Sequence, residues 1–373
     1  MVGHDSDKNW APAISTDMMF LRISNEEQKA KGGNAAVVRD GIGLNSLSGA
    51  DMETSNVLIE EGILAGNLGD YERAYACIDA SLKIKTNIYG AEAMNQDIAR
   101  ALSTMGFVLA AKGDIKGAIN RYNEALTAKE GSSYTDLAAT MTTIGMLHIK
   151  CGEYVNAELW LMKALDSKKN MRGSSPASIA KDLENLGDLK KICKKYKEAE
   201  DFYMQSAACY HNNINSVKVQ KELSCLMSKL GLVAGAQGDY DLAQEHFESA
   251  LNMKMDVYEE NKENSSDLCN AMNSLGYIYA VRGHIREAIQ VYEESINIQC
   301  NSAWDENFAK TLTSLGILYI EQHDLRSGQA CLENALDVMR EIDSERGTKG
   351  SFICVIMCNL NLCKNRLKQT KVH

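Results

Sequence analysis

The sequence predicts an all-α protein: seven helix–turn–helix repeats stacked into a right-handed superhelical solenoid, closed by a C-terminal capping helix. Three observations carry this expectation. A phrase close to "GDYDLAQEHFESAL", from Gly238, recurs as "GDYERAYACIDASL" from Gly69, "GDIKGAINRYNEAL" from Gly113, "GEYVNAELWLMKAL" from Gly152 and "GHIREAIQVYEESI" from Gly283. Small residues recur in register with that phrase at a near-constant period. Only 2 prolines interrupt 373 residues, and aromatics are 6%, which favours helices over a sandwich or barrel.

The register is set by a glycine seven positions before each phrase: Gly62, Gly106, Gly145, Gly187, Gly231, Gly276 and Gly316, spaced 44, 39, 42, 44, 45 and 40 residues apart. Four residues before it stands Leu or Met, and two after it an aliphatic residue: Leu64, Val108, Leu147, Leu189, Val233, Ile278 and Leu318. Apolar residues at this spacing form one buried stripe on a first helix. A second helix carries small residues at Ala74, Ala118, Ala157, Ala199, Ala243, Ala288 and Gly328. Four positions on comes a large one: Ile78, Tyr122, Leu161, Tyr203, Phe247, Tyr292 and Leu332. Small residues let the two helices approach closely, and the large one fills the space that remains.

Between the helices, Gly69, Gly113, Gly152, Gly238 and Gly283 suit the left-handed position that ends a helix. The acid that follows four of them can cap the next helix. The apolar or aromatic residue after that (Tyr71, Ile115, Tyr154, Tyr240, Ile285) is expected to turn back into the core. Lys194 and His323 replace the glycine in the fourth and seventh units, so those turns are expected to be strained or differently closed. The repeats run over about 55–88, 99–132, 138–171, 180–213, 224–257, 269–302 and 309–342, within a region of 51–348.

This small-residue pattern resembles the tetratricopeptide repeat family at corresponding positions of all seven units. The long period and segments such as "YGAEAMNQDIARALSTMG" (89–106) resemble the subclass found in kinesin light chains and nephrocystin-3-type proteins. The resemblance implies a stacked helical solenoid with a concave surface that takes up protein or peptide partners.

The two ends read differently from the middle. Residues 349–373 predict a capping helix and basic tail, with Phe352, Ile356, Leu360, Cys363 and Leu367 on one side. Glu61 stands where other repeats have Met, Ile or Leu, which suits a first repeat with a polar outer face. Residues 1–50 are glycine-rich and aperiodic, and are expected to be a flexible tail; Met18, Met19, Phe20, Leu21 and Ile23 are its one apolar cluster.

Composition narrows the chemistry. A net charge of −10 argues against general phosphate-backbone binding, so no nucleic-acid partner is expected. No apolar run is long enough to span a bilayer, and no secretory signal stands at the N-terminus. The 11 cysteines are odd in number, scattered and embedded in helical pattern, which points to a reducing, cytoplasmic setting. No phosphate-loop, zincin or serine-hydrolase motif occurs. "GIGLNS" at 41–46 lacks both the last glycine and a preceding strand. Cys354 and Cys358 share a helix face, but core packing is the favoured reading over a metal. No catalytic residue, cofactor or metal site is therefore expected.

The expected function is a non-catalytic adaptor that binds a peptide or protein segment. Alternatives are a self-associating scaffold, or a regulatory subunit acting on a catalytic partner. The binding face is taken from first-helix positions six, three and two before the glycine and one after it. Its candidates are Arg100, Phe107, Lys181, Asn185, Lys229, Asn270, Asn273, Tyr277 and Lys310. Asparagines can hydrogen-bond an extended main chain, isolated cations can meet carboxylates, and apolar residues can anchor. By resemblance, asparagines near this place grip ligand backbone in peptide-binding relatives, and only Asn185 and Asn273 match. The five lysines of "LKKICKKYKEAE" (Lys190, Lys191, Lys194, Lys195, Lys197) are read as a solvated turn, with an acidic-partner patch as the rival.

Overall fold

A computed structural model describes residues 52–370, apart from 91–94, 129–133, 172, 211–215, 262–264, 300–304 and 347–350. The expected tail at 1–50, with its apolar cluster and "GIGLNS", lies outside the described residues. So does the end of the basic tail.

Fifteen helices and no strand occur among the described residues. They are α1 (Met52–Asn67), α2 (Tyr71–Tyr89), α3 (Gln96–Lys112), α4 (Ile115–Ala128), α5 (Tyr134–Lys150), α6 (Tyr154–Asn170), α7 (Pro176–Ile192) and α8 (Tyr196–Ala208), followed by α9 (Val217–Gln237), α10 (Tyr240–Asn261), α11 (Ser265–Val281), α12 (Ile285–Gln299), α13 (Glu306–Glu321), α14 (Leu325–Arg346) and α15 (Ser351–Thr370). They divide into two compact units, Met1–Glu153 and Tyr154–His373. In the first, α1 pairs with α2 and α3 with α4, and α2 packs on α3 and α4 on α5. In the second, α7–α8, α9–α10, α11–α12 and α13–α14 are hairpins. Each hairpin packs on the next through α8–α9, α10–α11 and α12–α13, with α6 against α7 and α15 against α14.

Within a hairpin, the helices cross where a glycine faces the large residue of the partner. A Cβ on Gly187 would stand 2.5 Å from the Tyr203 ring, and one on Gly62 2.6 Å from Ile78. Between hairpins, the aliphatic column does the packing. Val108 joins Ala65, Ala74 and Ile78 of the hairpin before it, and Ile278 joins Ala234, Ala243 and Phe247. Leu64 departs from the expected stripe. It is 54% exposed because, among the described residues, no hairpin precedes α1 to cover it.

The turns follow one scheme. In α3–α4, Gly113 takes φ 96° and the Asp114 N–H reaches back to the Leu109 carbonyl at 2.9 Å. Lys194 and His323 adopt the same hand, with φ 58° and 63°. They close alike: Lys195 N–H to Lys190 O and Asp324 N–H to Tyr319 O, both 2.9 Å. These turns are therefore strained, as expected, but not differently closed. Of the four expected acids, Asp70, Asp114 and Asp239 accept from backbone N–H groups three residues on, Glu153 pairs with His148 Nδ1 at 2.8 Å, and Asp324, after His323, caps in the same way. Tyr154 and Tyr240, expected to turn inward, stay more than a third exposed at the first position of α6 and α10. A residue so close to the turn sits at the rim of the helix pair.

The capping helix α15 buries Ile356, Leu360 and Cys363 on the cluster of α13 and α14, with Phe352 and Leu367 half-buried beside them. Cys354 and Cys358 do not join the core. Both are exposed, on the side of α15 turned away from it.

A left-handed residue with a Cβ costs more than glycine. Lys194→Gly and His323→Gly should each raise the denaturant midpoint of the second unit, by about 1 kcal/mol in stability. A lower midpoint in either variant would show that the lysine or histidine side chain contributes more than its backbone strain removes.

Candidate protein-interaction surface

Arg100 and Phe107 belong to the first unit, and the other seven candidates to the second. Arg100 is exposed on α3. Phe107 is half-buried, leaning on the cluster of Ala65, Ala74 and Ile78, so much of its surface is spent on packing.

In the second unit, the fourth repeat departs from the apolar pattern. Lys181, Glu184 and Asp188 recur at i, i+3 and i+7 on one face of α7. Lys229 of α9 lies against that face, its Nζ 2.6 Å from both Glu184 Oε1 and Asp188 Oδ2. Lys181 Nζ reaches the other oxygen of Glu184 at 2.9 Å. Tyr203 donates its hydroxyl to Asp188 Oδ1 at 2.6 Å, and the Lys229 ammonium stands 5.7 Å from its ring centroid. Burial works against the Glu184 carboxylate, yet Lys229 and Lys181 outweigh it and hold it below its ordinary range. Burial likewise opposes the Lys229 charge, and Asp188 and Glu184 reverse that and push it up. Burial, then Asp188, pushes the Tyr203 phenol well above its usual value. Lys191 Nζ also stands 3.9 Å from Asp188 Oδ1, so three cations meet two carboxylates here, and the cluster joins repeat four to repeat five.

This corrects the expectation of isolated cations. Lys181 and Lys229 are committed within the cluster, and Lys310 pairs with Glu306 at 2.9 Å. Asn185 is buried, 7% exposed. The Asn273 amide is engaged at both ends: Nδ2 donates to Thr311 Oγ1 at 2.7 Å and Oδ1 accepts from Ser295 Oγ at 3.1 Å. The position three before the glycine is thus largely an inter-helix position, as buried Ile59, Glu184 and Thr313 also show. The lysine-rich turn is not a free basic patch either. Lys190 is buried and pairs with Glu158 and Glu198, both at 2.7 Å, and Lys195 pairs with Glu198 at 3.4 Å.

Two large apolar side chains stay open on this side of the second unit. Tyr277 of α11 is 60% exposed and Leu232 of α9 is 50% exposed. Both occupy the position one after the glycine, in consecutive repeats, and Asn270 is exposed one turn or more before Tyr277. Sequence reasoning named Tyr277 but missed the Glu184–Lys229–Asp188–Tyr203 cluster. Its signal was present: opposite charges 45 and 41 residues apart, one repeat length, in an otherwise apolar neighbourhood. Among the described residues, no helix is long and apolar enough to cross a membrane, and no group of three or more His, Cys, Asp or Glu is placed to hold a metal.

Removing one member of a buried charge group strands the rest. Lys229→Met should destabilise the second unit by about 3 kcal/mol, whereas Lys229→Met/Glu184→Gln/Asp188→Asn should recover most of that loss. A small effect from Lys229→Met in urea unfolding would mean that water already screens the pair.

The pH dependence has a definite sign. Glu184 titrates below its ordinary 4.5 when folded, so its stabilisation is complete above that value and is lost as pH falls through the folded one. Lys229 titrates above its ordinary 10.5, so its share is complete below that and is lost as pH rises through the folded one. In Lys229→Met the acid limb should flatten, since Glu184 then keeps only Lys181 against the cost of its burial. Parallel acid limbs for the two proteins would contradict this assignment.

Comparison with known proteins agrees with this architecture. A sequence model of the tetratricopeptide repeat family matches residues 222–301. The Arabidopsis thaliana protein KINESIN LIGHT CHAIN-RELATED 2 is 21% identical over 242 residues, which is 60% of this chain and 35% of that protein. The human cell division cycle protein 16 homolog is 26% identical over 117 residues, 31% of this chain and 17% of that protein. The chain thus spans about a third of the plant relative and less of the human one. Among solved structures, BtubC (BKLC) from P. vanneervenii superposes with a TM-score of 0.52 at 16% identity, over 62% of this chain and 90% of that one. A tetratricopeptide repeat protein from Parabacteroides merdae gives 0.51 at 16% identity, over 84% and 99%. The apo form of RapI gives 0.54 at 13% identity, over 84% and 98%. Residues 222–301 therefore match the tetratricopeptide repeat family outright, and the chain as a whole resembles it in the long form typified by kinesin light chains.

Proposed function

We propose that this protein is a non-catalytic adaptor that binds a segment of another protein along the first helices of its second unit. One observation carries the reading: Leu232 and Tyr277 stand exposed at the same position of consecutive repeats, while the polar side chains around them are already paired. A partner would be held by apolar anchoring at these two residues, with Asn270 and Lys310 at the margin supplying hydrogen bonds and charge. Asn273, Asn185, Lys181 and Lys229 would shape the surface without touching main chain, and Arg100 and Phe107 would serve the first unit separately. Such a surface suits an extended or helical apolar peptide better than one recognised by its backbone alone. The free thiols packed in the core at Cys77, Cys269 and Cys363 favour a reducing compartment, and we place the protein in the cytoplasm on that basis.

Fluorescence polarisation with a labelled peptide library tests this directly. Peptides that bind the full chain should lose at least about tenfold in affinity to Leu232→Asp/Tyr277→Asp, because central exposed anchors carry most binding energy. Circular dichroism of the variant should be unchanged, both residues being at the surface. Equal binding of every hit by the two proteins would remove this face from the mechanism.

A further inference from the structure

Each first helix shows its stacking partner the residues five before, one before and two after its glycine. In α3 these are Ala101, Met105 and Val108, and in α13 Thr311, Leu315 and Leu318, all buried. The corresponding residues of α1 are Val57, Glu61 and Leu64. Val57 and Leu64 are 52% and 54% exposed, and Glu61 is drawn aside to Arg73 of α2. The expected polar outer face is thus only one residue deep, with an uncovered aliphatic on each side of it.

The far end has the same property. While α15 buries one face on α13 and α14, its outward face carries Val355, Cys358 and Leu362, all exposed, at i, i+3 and i+7. No later helix covers that face among the described residues. The charges of the two ends are opposite and unmixed. α1 contains Glu53, Glu60 and Glu61 and no base, whereas α15 contains Lys364, Arg366 and Lys368 and no acid.

We infer that the partner of each end is a second copy of this chain, α1 of one copy packing antiparallel on α15 of the next. The spacings agree in that orientation. Val57 meets Leu362, Glu61 meets Cys358, Leu64 meets Val355, and Glu53 reaches Arg366. Each copy supplies the helix that its neighbour's end lacks, as consecutive hairpins do inside a unit. Charge selects this arrangement over a two-fold dimer, since α1 on α1 sets acid against acid and α15 on α15 sets base against base. Because the contact joins two different surfaces, it repeats from copy to copy and yields an open series or a ring rather than a closed pair.

Sedimentation velocity of the full chain between roughly 1 and 200 µM tests the inference, in a range suited to a single helix-on-helix contact. The weight-average coefficient should rise with concentration through a series of species, and fall when salt screens Glu53 from Arg366. Val57→Lys/Leu64→Lys, which blocks α1, and Val355→Glu/Leu362→Glu, which blocks α15, should each sediment as monomer alone. Mixed, they should form a dimer and nothing larger, through the one intact end of each. Glu53→Arg should weaken association several-fold, and adding Arg366→Glu in the same chain should restore it. A monomer throughout the range overturns the proposal. So does an α1-blocked variant that still self-associates, which would place the contact on another surface.

Discussion

The close approach of paired helices, glycine against a large side chain, is the constraint on which the rest depends. At Gly106 and Gly231 a methyl group would stand 2.9 Å from the Tyr122 and Phe247 rings, and at Gly276 and Gly316 it would press on Tyr292 and Leu332 at 3.0 Å. Real carbon atoms do not pack so closely, so a side chain there would drive the helices apart or push the ring aside. The side chain that fills the space over the bare glycine also anchors the second helix, at almost no exposure: Tyr203 0%, Ile78 0%, Phe247 2%. Crossing geometry, turn length and the placing of the next hairpin all follow from that contact. It also explains why the turn scheme survives the loss of its own glycine. Lys194 and His323 are forced to positive φ because hairpins closed at Gly187 and Gly316 leave the chain no other way to turn.

Stacking of hairpins imposes a second, looser rule. A first helix needs small or aliphatic residues toward the hairpin before it, and of the six that have such a hairpin only α7, with Asp182, breaks the rule; Ile144, Leu186 and Leu230 are fully buried one position before their glycines. The seventh cannot comply usefully, because burial needs a neighbour. Val57 and Leu64 keep the inner pattern while Glu61 abandons it, so the first helix carries a surface suited half to stacking and half to water. α15 is built the other way: its inner face is complete and its outer one is a narrow aliphatic strip ending in cations.

The fold was legible because it rests on residue size and spacing, which sequence states directly. The columns through Gly106, Tyr122 and Val108, the capping acids Asp114 and Asp239, and the inner face of α15 could all be read before any coordinate. The binding face was legible only in part, because side-chain commitment depends on what lies across a helix interface. Asn273 has the residue type of a main-chain gripper, yet Thr311 and Ser295 take both ends of its amide. Five lysines in eight residues suggest a positive surface, yet Glu158 is brought alongside Lys190 from α6. Tyr277 is 60% exposed one position past its glycine, but the position alone did not decide this, since Asp188 is buried and Phe107 half-buried at the same place.

The charged group of repeats four and five marks the limit of column reasoning most sharply. Asp182, Glu184, Asp188 and Lys190 are all buried along α7, where a repeat pattern anticipates aliphatics or small residues. Each has an answering charge from another helix: Lys168 for Asp182 at 2.7 Å, Lys229 for Glu184 and Asp188, Glu158 for Lys190. Such pairs add little net stability over well-packed apolar residues, because desolvation consumes most of the attraction. Their effect is on register. An aliphatic contact tolerates a slip of one turn, but Lys229 placed one turn away would leave Glu184 with Lys181 alone and Asp188 with only the more distant Lys191 against the cost of burial. The middle of the second unit is therefore aligned chiefly by charge, while the repeats after it combine apolar packing with polar links such as Asn273 to Thr311 and Arg282 to Asp241. Leu232 and Tyr277 stand next to the part of the array least able to slide, which is where a rigid recognition surface would be best supported.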